Sequence, residues 1–453
     1  MTYLHSTDDT RNRQGPDVPR LPSPRLTGRA PRAPASARPS HDRHLSRIPR
    51  YSPRYPRLDL AAVVVPTNRP GIGSGLGLAA RLAEAKGSHL VVLRSGDAAG
   101  EPFPEALVPH SVRRTVVLDL PPGSESILPS WESDEHTVAT LHRDSDLGFK
   151  RNLALLLGRM CGWDALLFLS DDVRSSPASD LARRRSRAWV DPLSRVDDVL
   201  ADFATYPQLH AAGWFQRDFD DNSVIGHARR MVGQPQETFI SGGALAVRCG
   251  GPLPLFPAAY NDDWLFFLHL MLGGWHTCPS SAVKYVGTIH QDAYYPFTAP
   301  RARSEELGDL FAEGLFTLLG APREELLVAA SSRSFWDEAI DERRRLITEL
   351  LSSLYRQGPL SGVMADAEAA LRAAFGLYTG QVEDPAESLA TFWMSLQSDM
   401  ASWSRLLRSV TPVSESDALS PEDAVDALGL GVNAQWHDRP ESVWGSAHNQ
   451  VFA

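Results

Sequence analysis

Cysteine is scarce. Cys161, Cys249 and Cys278 are the only three in a chain of 453 residues. They are odd in number and far apart, with no CxxC or Cys/His ligand spacing. This argues against a disulfide framework and a structural zinc site. Long hydrophobic runs are also missing. No stretch approaches the ~20 apolar residues that span a bilayer, and no apolar leader core stands at the N-terminus. The expectation is a cytoplasmic protein with no integral membrane segment. No internal repeat occurs. Lysine is absent from residues 1–57, where twelve arginines and ten prolines meet only four acids (Asp8, Asp9, Asp17 and Asp42). Twelve minus four gives that segment +8, so the formal charge of -10 leaves -18 on the rest. An acidic body argues against general nucleic-acid binding, which neutralises phosphates with Lys and Arg. Residues 1–57 have too few large apolar side chains to offset their ordering entropy and read as a disordered tail. A basic arm for anionic lipid or RNA and a tail without function both stay open.

What is present is an ordinary globular composition, 43% apolar. The length predicts one main domain with additions. Leu60-Ala-Ala-Val-Val-Val65 has the continuous apolar character of a buried strand and is ended by Pro66. A helix is predicted near Leu78–Lys86, then strands at His89–Leu93 and Thr115–Leu118. Asp146 to Met160 reads as a helix, with Leu153, Leu156, Leu157 and Met160 on one face and Gly162 past its end. Ala165–Leu169 is a further strand. Strands alternating with helices predict an α/β fold with a mostly parallel sheet flanked by helices. Later come strands at Gly213–Phe215, Thr238–Ile240 and Lys284–Val286, and a helix from Asn261 to Leu272 with Asn261 as its cap. Helices are then predicted over 304–319, 335–357, 363–376 and 385–409, and 412–453 reads as a weakly ordered tail.

Gly71-Ile-Gly73-Ser-Gly75-Leu-Gly77 invites a dinucleotide-binding reading, but the spacing fails. G-x-G-x-x-G from Gly71 requires glycine where Leu76 stands, and from Gly73 where Leu78 stands. No Gly-Lys-Ser/Thr follows, so the P-loop fails too. A loop beside a nucleotide site remains.

Ligands of open α/β sheets bind at the carboxyl ends of strands. Those ends carry Pro66-Thr67-Asn68-Arg69, then Ser95-Gly96-Asp97, then Ser170-Asp171-Asp172. Two adjacent carboxylates after a buried strand need their charge offset, and Mg²⁺ or Mn²⁺ would do so. A strand-terminal Asp is also a turn former, and from the doublet alone both readings stand. The context is more specific. Asp146-Leu-Gly-Phe-Lys-Arg-Asn152, a helix, and Leu166-Leu-Phe-Leu-Ser-Asp-Asp-Val173 together resemble the G-x-x-x-A/R-N, helix, strand, D-x-D signature of GT-A fold glycosyltransferases of the family 2 type. The resemblance spans roughly residues 58–310. It implies a Rossmann-like nucleotide-binding half over 58–173 and an acceptor half over 174–310. A helical extension over 311–411 follows, as a candidate acceptor wall or oligomer contact. It also implies Asp172 as metal ligand and Asp171 as nucleoside contact. Ser170 stands where the motif has its first Asp. Pro66, Thr67, Asn68, Arg69, Ser95 and Asp97 become donor-binding candidates, with Arg151 and Lys150 at the base or diphosphate. A solvated basic pair is the plain alternative for the last two.

Three later features extend the resemblance. Ser241-Gly242-Gly243 allows close backbone approach to a ligand and matches the family's loop under the donor sugar, or is a simple turn. Tyr260-Asn-Asp-Asp-Trp264 is similar to the family's x-E-D motif. An inverting enzyme needs a carboxylate to take the acceptor's proton, which points to Asp263 with Asp262 beside it. Both acids also suit a helix N-terminus. His290, in Gly287-Thr-Ile-His290, holds the register of a second metal ligand in the family. Arg301 and Arg303 read as a segment able to close over a diphosphate, or as a solvated loop. The implied activity is a metal-dependent, hexosyltransferase-type glycosyltransferase. It would carry Mn²⁺ or Mg²⁺ and move sugar from a UDP-, GDP- or dTDP-sugar to an acceptor hydroxyl of unknown identity. A nucleotidyltransferase making the sugar nucleotide is the rival, although Pro66-Thr-Asn-Arg-Pro70 does not match its lysine-following loop. A non-catalytic nucleotide-sugar-binding protein is the other.

Overall fold

Nine strands in one sheet carry the molecule, in the order β5-β8-β6-β7-β4-β1-β2-β3-β9. They are β1 (Leu60–Thr67), β2 (His89–Arg94), β3 (Arg114–Asp119), β4 (Ala165–Leu169), β5 (Val173–Arg174), β6 (Ala211–Arg217), β7 (Ile240–Arg248), β8 (Val283–Gln291) and β9 (Ala434–Asp438). This is a computed structural model. It describes residues 45, 57–69, 74–104, 112, 114–135, 145–174, 195–217, 223–234, 240–272, 282–291, 298–358, 360 and 362–438. All of them belong to one unit, Arg38–Ala453. The Arg/Pro-rich segment up to residue 56, the glycines Gly71 and Gly73, Cys278 and Asp292 lie outside the described residues, Leu45 apart.

β1 pairs in parallel with β2 and β4, β2 with β3, and β6 with β8. The remaining pairs are antiparallel: β3 with β9, β4 with β7, β5 with β8, and β6 with β7. Six strands thus run one way and β5, β7 and β9 the other. The chain starts in the middle at β1, winds outward to β2 and β3, then returns to the opposite flank of β1 at β4. That reversal is a topological switch point, where an α/β sheet opens a crevice at its carboxyl edge. Pro66 fits the divergence. β1 runs two residues past the expected end at Val65, but its ladder to β4 stops at Val64↔Phe168. The missing proline N–H therefore falls where the two strands separate.

Side-chain alternation divides the core. Val63 and Val65 pack on one face with α1 (Ser74–Lys86) and α4 (Val196–Thr205). Ala62 and Val64 face the other layer. That layer holds α3 (Leu147–Met160), α6 (Asp262–Leu272) and the later helices, with a short α2 (Glu132–Glu135) and α5 (Val224–Met231) at its margins. The later helices are α7 (Ala299–Thr317), α8 (Arg323–Ala330), α9 (Arg333–Arg356), α10 (Val363–Gly376), α11 (Pro385–Val410) and α12 (Pro421–Ala427). None of the described helices is long and apolar enough to cross a membrane.

Two expectations change. Residues 412–453 do not read as a plain weakly ordered tail, since α12 and β9 lie within them. β9 closes the β3 edge, with Trp436 under the Arg114 guanidinium at 5.8 Å. Asn261 does not cap α6 with its side chain. It takes φ 62 and donates its amide to Asp309 Oδ1 at 2.9 Å.

Candidate functional site

The switch point places its polar groups by backbone geometry. Thr67 ends β1 and donates its hydroxyl to Asp171 Oδ2 at 2.5 Å, across the opening between β1 and β4. Gly75, in the first turn of α1, donates its N–H to the Asp171 carbonyl at 2.7 Å. A Cβ at Gly75 would collide with the Ser170 carbonyl, so a glycine is needed there for close approach rather than for a dinucleotide. Ser170 N–H donates to the Gly243 carbonyl at 2.9 Å, which joins β4 to β7.

Both carboxylates of the doublet are buried, with Asp171 and Asp172 at 5% and 4% exposure. Arg69 spans them. Its Nη1 lies 3.2 Å from Asp171 Oδ1 and its Nη2 3.0 Å from Asp172 Oδ2. Gln291 donates Nε2 to the same Asp172 oxygen at 3.1 Å. Asp172 Oδ1 and Gln291 Oε1 are buried and have no hydrogen-bond partner. Burial pushes the Asp172 carboxyl above its ordinary value, with Arg69 pulling the other way and Asp171 adding to the rise. His290 stands beside Gln291 on β8 and pairs in register with Arg174. Alternation sends its ring to the opposite face from Gln291, so Gln291 is the β8 side chain on Asp172. Among the described residues no three His, Cys, Asp or Glu side chains form a metal-holding group.

Lys150 and Arg151 lie in the first turns of α3 and both are buried. Lys150 Nζ donates to the Thr67 carbonyl (2.9 Å), Ser95 Oγ (2.6 Å) and Asp146 Oδ1 (2.9 Å). An ammonium has three donors, and all are used within the protein. Burial lowers its pKa while Asp146 raises it. Lys150 thus ties β1, β2 and α3 together beneath the crevice. Arg151 Nη1 pairs with Asp262 Oδ2 at 2.5 Å, and its guanidinium lies 5.2 Å from the Phe256 ring. A Cβ at Gly242 would stand 2.5 Å from Arg151 Nη2, and one at Gly243 would meet Gln216. The two glycines make room for these side chains, which is what their close approach serves here.

Asp263 accepts the Gly242 N–H at 2.7 Å and the Trp264 N–H at 2.9 Å. It is half-buried at the start of α6, whereas Asp262 is fully buried in its pair with Arg151. Asp263 therefore holds Gly242, Gly243 holds Ser170, and the next residue is Asp171. These contacts connect the doublet to the α6 acids through β7. Arg301 and Arg303 lie within α7, where Arg301 pairs with Glu305 at 2.8 Å. They form a helical turn rather than the loop expected from sequence.

Two recesses flank the carboxyl ends of β1 and β2. The smaller, about 190 Å³, is lined by Thr67, Arg69 and Asp171 among others. Its floor holds a forked pair, Arg94 Nε and Nη2 to Asp119 Oδ1 and Oδ2 at 2.7 and 2.8 Å. The larger, about 1050 Å³, is lined by Asn68, Ser95, Asp97, Asp146, Phe149 and Trp131 among others. The N–H groups of Glu132 and Ser133 donate to Asp399 of α11 at 2.7 and 2.9 Å, which fixes the Trp131 wall to the helical part.

Sequence reasoning missed Arg69 as a clamp, Gln291, and Asp146 as partner of Lys150. Gln291 sits one residue from His290, and strand period alone would have offered it as the alternative. No protein-family model and no curated protein matches the chain. Among solved structures, the crystal structure of M. tuberculosis glucosyl-3-phosphoglycerate synthase is similar at a TM-score of 0.31 and 15% identity. The match covers 57% of this chain and 80% of that one. A likeness that distant carries no argument about function.

Proposed function

We propose that the chain is a GT-A type glycosyltransferase that takes a nucleoside diphosphate sugar as donor. One observation carries the reading: Thr67 and the Asp171–Asp172 doublet meet at the β1/β4 switch point, two backbone contacts away from Asp263. The larger recess is of the size that ligand pockets take. A nucleoside there would leave its diphosphate against Arg69 and the doublet. Two carboxylates repel a diphosphate unless a cation intervenes. Arg69 supplies one positive charge. A divalent Mg²⁺ or Mn²⁺ would be held by Asp172 Oδ1 and Gln291 Oε1, both hard oxygen donors left unpartnered in the protein. Such an ion supplies charge stabilisation to the departing diphosphate. His290 faces away from these two oxygens and is not part of this set.

Asp263 is the proton acceptor for the acceptor hydroxyl, and its two N–H donors hold the carboxylate in one orientation. A positioned base contributes about 10²–10⁴-fold to rate. Asp262 serves by holding Arg151. An Asp base suits direct displacement with inversion at the sugar.

The test is thermal denaturation with UDP, GDP, dTDP and their sugars, with and without Mn²⁺. One nucleotide should raise the midpoint, and more so with Mn²⁺. Asp172→Ala should abolish the Mn²⁺-dependent part, and Asp263→Asn should keep donor stabilisation but lose sugar transfer. No stabilisation by any nucleotide would sink the reading.

A further inference from the structure

The first turn of α6 is gripped from two sides. On the sheet side, Asp262 meets Arg151 and Asp263 meets the Gly242 amide. On the helical side, the grip runs through Asn261. This residue takes φ 62, a left-handed conformation that asparagine tolerates better than most non-glycine residues. Its amide donates to Asp309 Oδ1 at 2.9 Å. Asp309 Oδ2 accepts from Arg343 Nη2. Arg343, on α9 and 3% exposed, also donates Nε to Glu306 at 2.7 Å and Nη1 to Glu313 at 3.0 Å. Tyr378 adds its hydroxyl to Glu306 at 2.8 Å. Beside Asp309, Gly308 lets α7 press onto the chain just before Asn261. A Cβ there would stand 2.7 Å from Tyr260 Cβ and 3.1 Å from the Tyr260 carbonyl.

The tie ends on the residue whose backbone turns the chain into Asp262 and Asp263, and whose carbonyl accepts the first helical i→i−4 bond of α6, from the Leu265 N–H at 3.0 Å. We infer that Arg343, acting through Asp309 and Asn261, is a positioning residue that sets the orientation of the Asp263 carboxylate. The helical extension is thereby part of the acceptor-side machinery. The inference rests on reading Asp263 as the proton acceptor.

Asn261→Gly is the decisive variant. Glycine accepts the left-handed backbone, so only the side-chain bond to Asp309 is lost. Amide hydrogen exchange of the full chain reads the outcome without any ligand. The Gly242 amide should exchange about ten-fold faster, because its acceptor is Asp263. The β7 amides of Ala246 and Val247 should not change. Arg343→Lys keeps the charge but cannot fork over three carboxylates, and it should give the same local change. With the nucleotide sugar that stabilises the protein most, Asn261→Gly should lower kcat about ten-fold and leave the donor KM unchanged. Unchanged exchange at Gly242 in Asn261→Gly would overturn the linkage whatever the activity. Faster exchange across all of β7 would also overturn it, as that marks general loosening. Faster exchange confined to Gly242 with wild-type kcat would overturn Asp263 as the group being positioned. Absence of donor turnover in the wild-type chain would instead refute the proposed function, while the exchange result still decides the linkage.

Discussion

Two arginines in this molecule each bridge more than one carboxylate, and they do so in opposite surroundings. Arg343 is sealed, its side chain 3% exposed, with Glu306, Asp309 and Glu313 around it. Arg69 is 22% exposed and spans Asp171 and Asp172 at the mouth of the crevice. Around Arg343 each guanidinium nitrogen meets a carboxylate, and burial raises the Glu306 pKa against the pull of Arg343. Each cluster leaves one buried oxygen without a hydrogen-bond partner, Glu306 Oε2 around Arg343 and Asp172 Oδ1 around Arg69, but only the second lies beside a partly exposed guanidinium. The sealed cluster uses its contacts to hold helices. The open one leaves capacity for something not in the chain. The same residue types thus mark scaffold or site according to water access.

The sharpest way to break this comparison is Arg343→Met. Removing the guanidinium leaves Glu306 and Asp309 facing each other in a closed environment, with Glu313 at its rim, an event that costs about 3–5 kcal/mol. Urea unfolding should show that loss as a lower midpoint with an unchanged slope. A loss under about 1 kcal/mol would mean that the cluster is hydrated and not the scaffold element described.

A second measurement probes how sealed the helical side is. His269 of α6 sets Nδ1 against the Leu265 carbonyl at 2.7 Å and Nε2 against Gln397 of α11 at 3.1 Å. Burial lowers its pKa from 6.5 to about 4. The unfolded chain therefore takes up a proton as pH falls below 6.5, and the folded chain does so only near pH 4. Stability from this group is full above pH 6.5 and is lost as pH falls toward 4, by at most about 3 kcal/mol. His269→Gln should flatten the wild-type fall over that window in denaturant titrations at successive pH values. Equal slopes would show that water reaches the ring.

The two regions also differ in how far they could be read from sequence. The strands at 60–65, 89–93 and 165–169 were legible because burial on both faces leaves a continuous apolar run. The helix at 363–376 was legible to the residue, matching α10. β9 was not, since Ala434-Gln-Trp-His-Asp438 is a polar edge segment whose only reason to be extended is the β3 edge more than 300 residues away. Thr67, Asp171, Asp172 and Asp263 could be picked out because each follows a strand or opens a helix. What those side chains touch could not. Lys150 reads as a surface base beside Arg151, yet three acceptors from separate segments bury it. Gly242 and Gly243 read as a ligand bed, yet side chains from α3 and β6 occupy the space. Local pattern finds positions on elements, while partnership depends on contacts distant in sequence.

Arg69→Met tests the open half of the comparison and should have the smallest effect on stability. The guanidinium is partly exposed, so water can reach the two carboxylates once it is gone, and the loss should be about 1 kcal/mol or less. The informative change is in cation binding. With Arg69 present, Asp171 and Asp172 already have a positive partner. Without it, their charge is left to the solvent and its ions. Mn²⁺ titrated into the nucleotide-free protein should bind at least ten-fold more tightly to Arg69→Met than to the wild type, a gain of about 1.4 kcal/mol by calorimetry. Adding Asp172→Ala should remove that gain. A large stability loss with no gain in Mn²⁺ affinity would make Arg69 a scaffold residue like Arg343, and the contrast between the two clusters would fall.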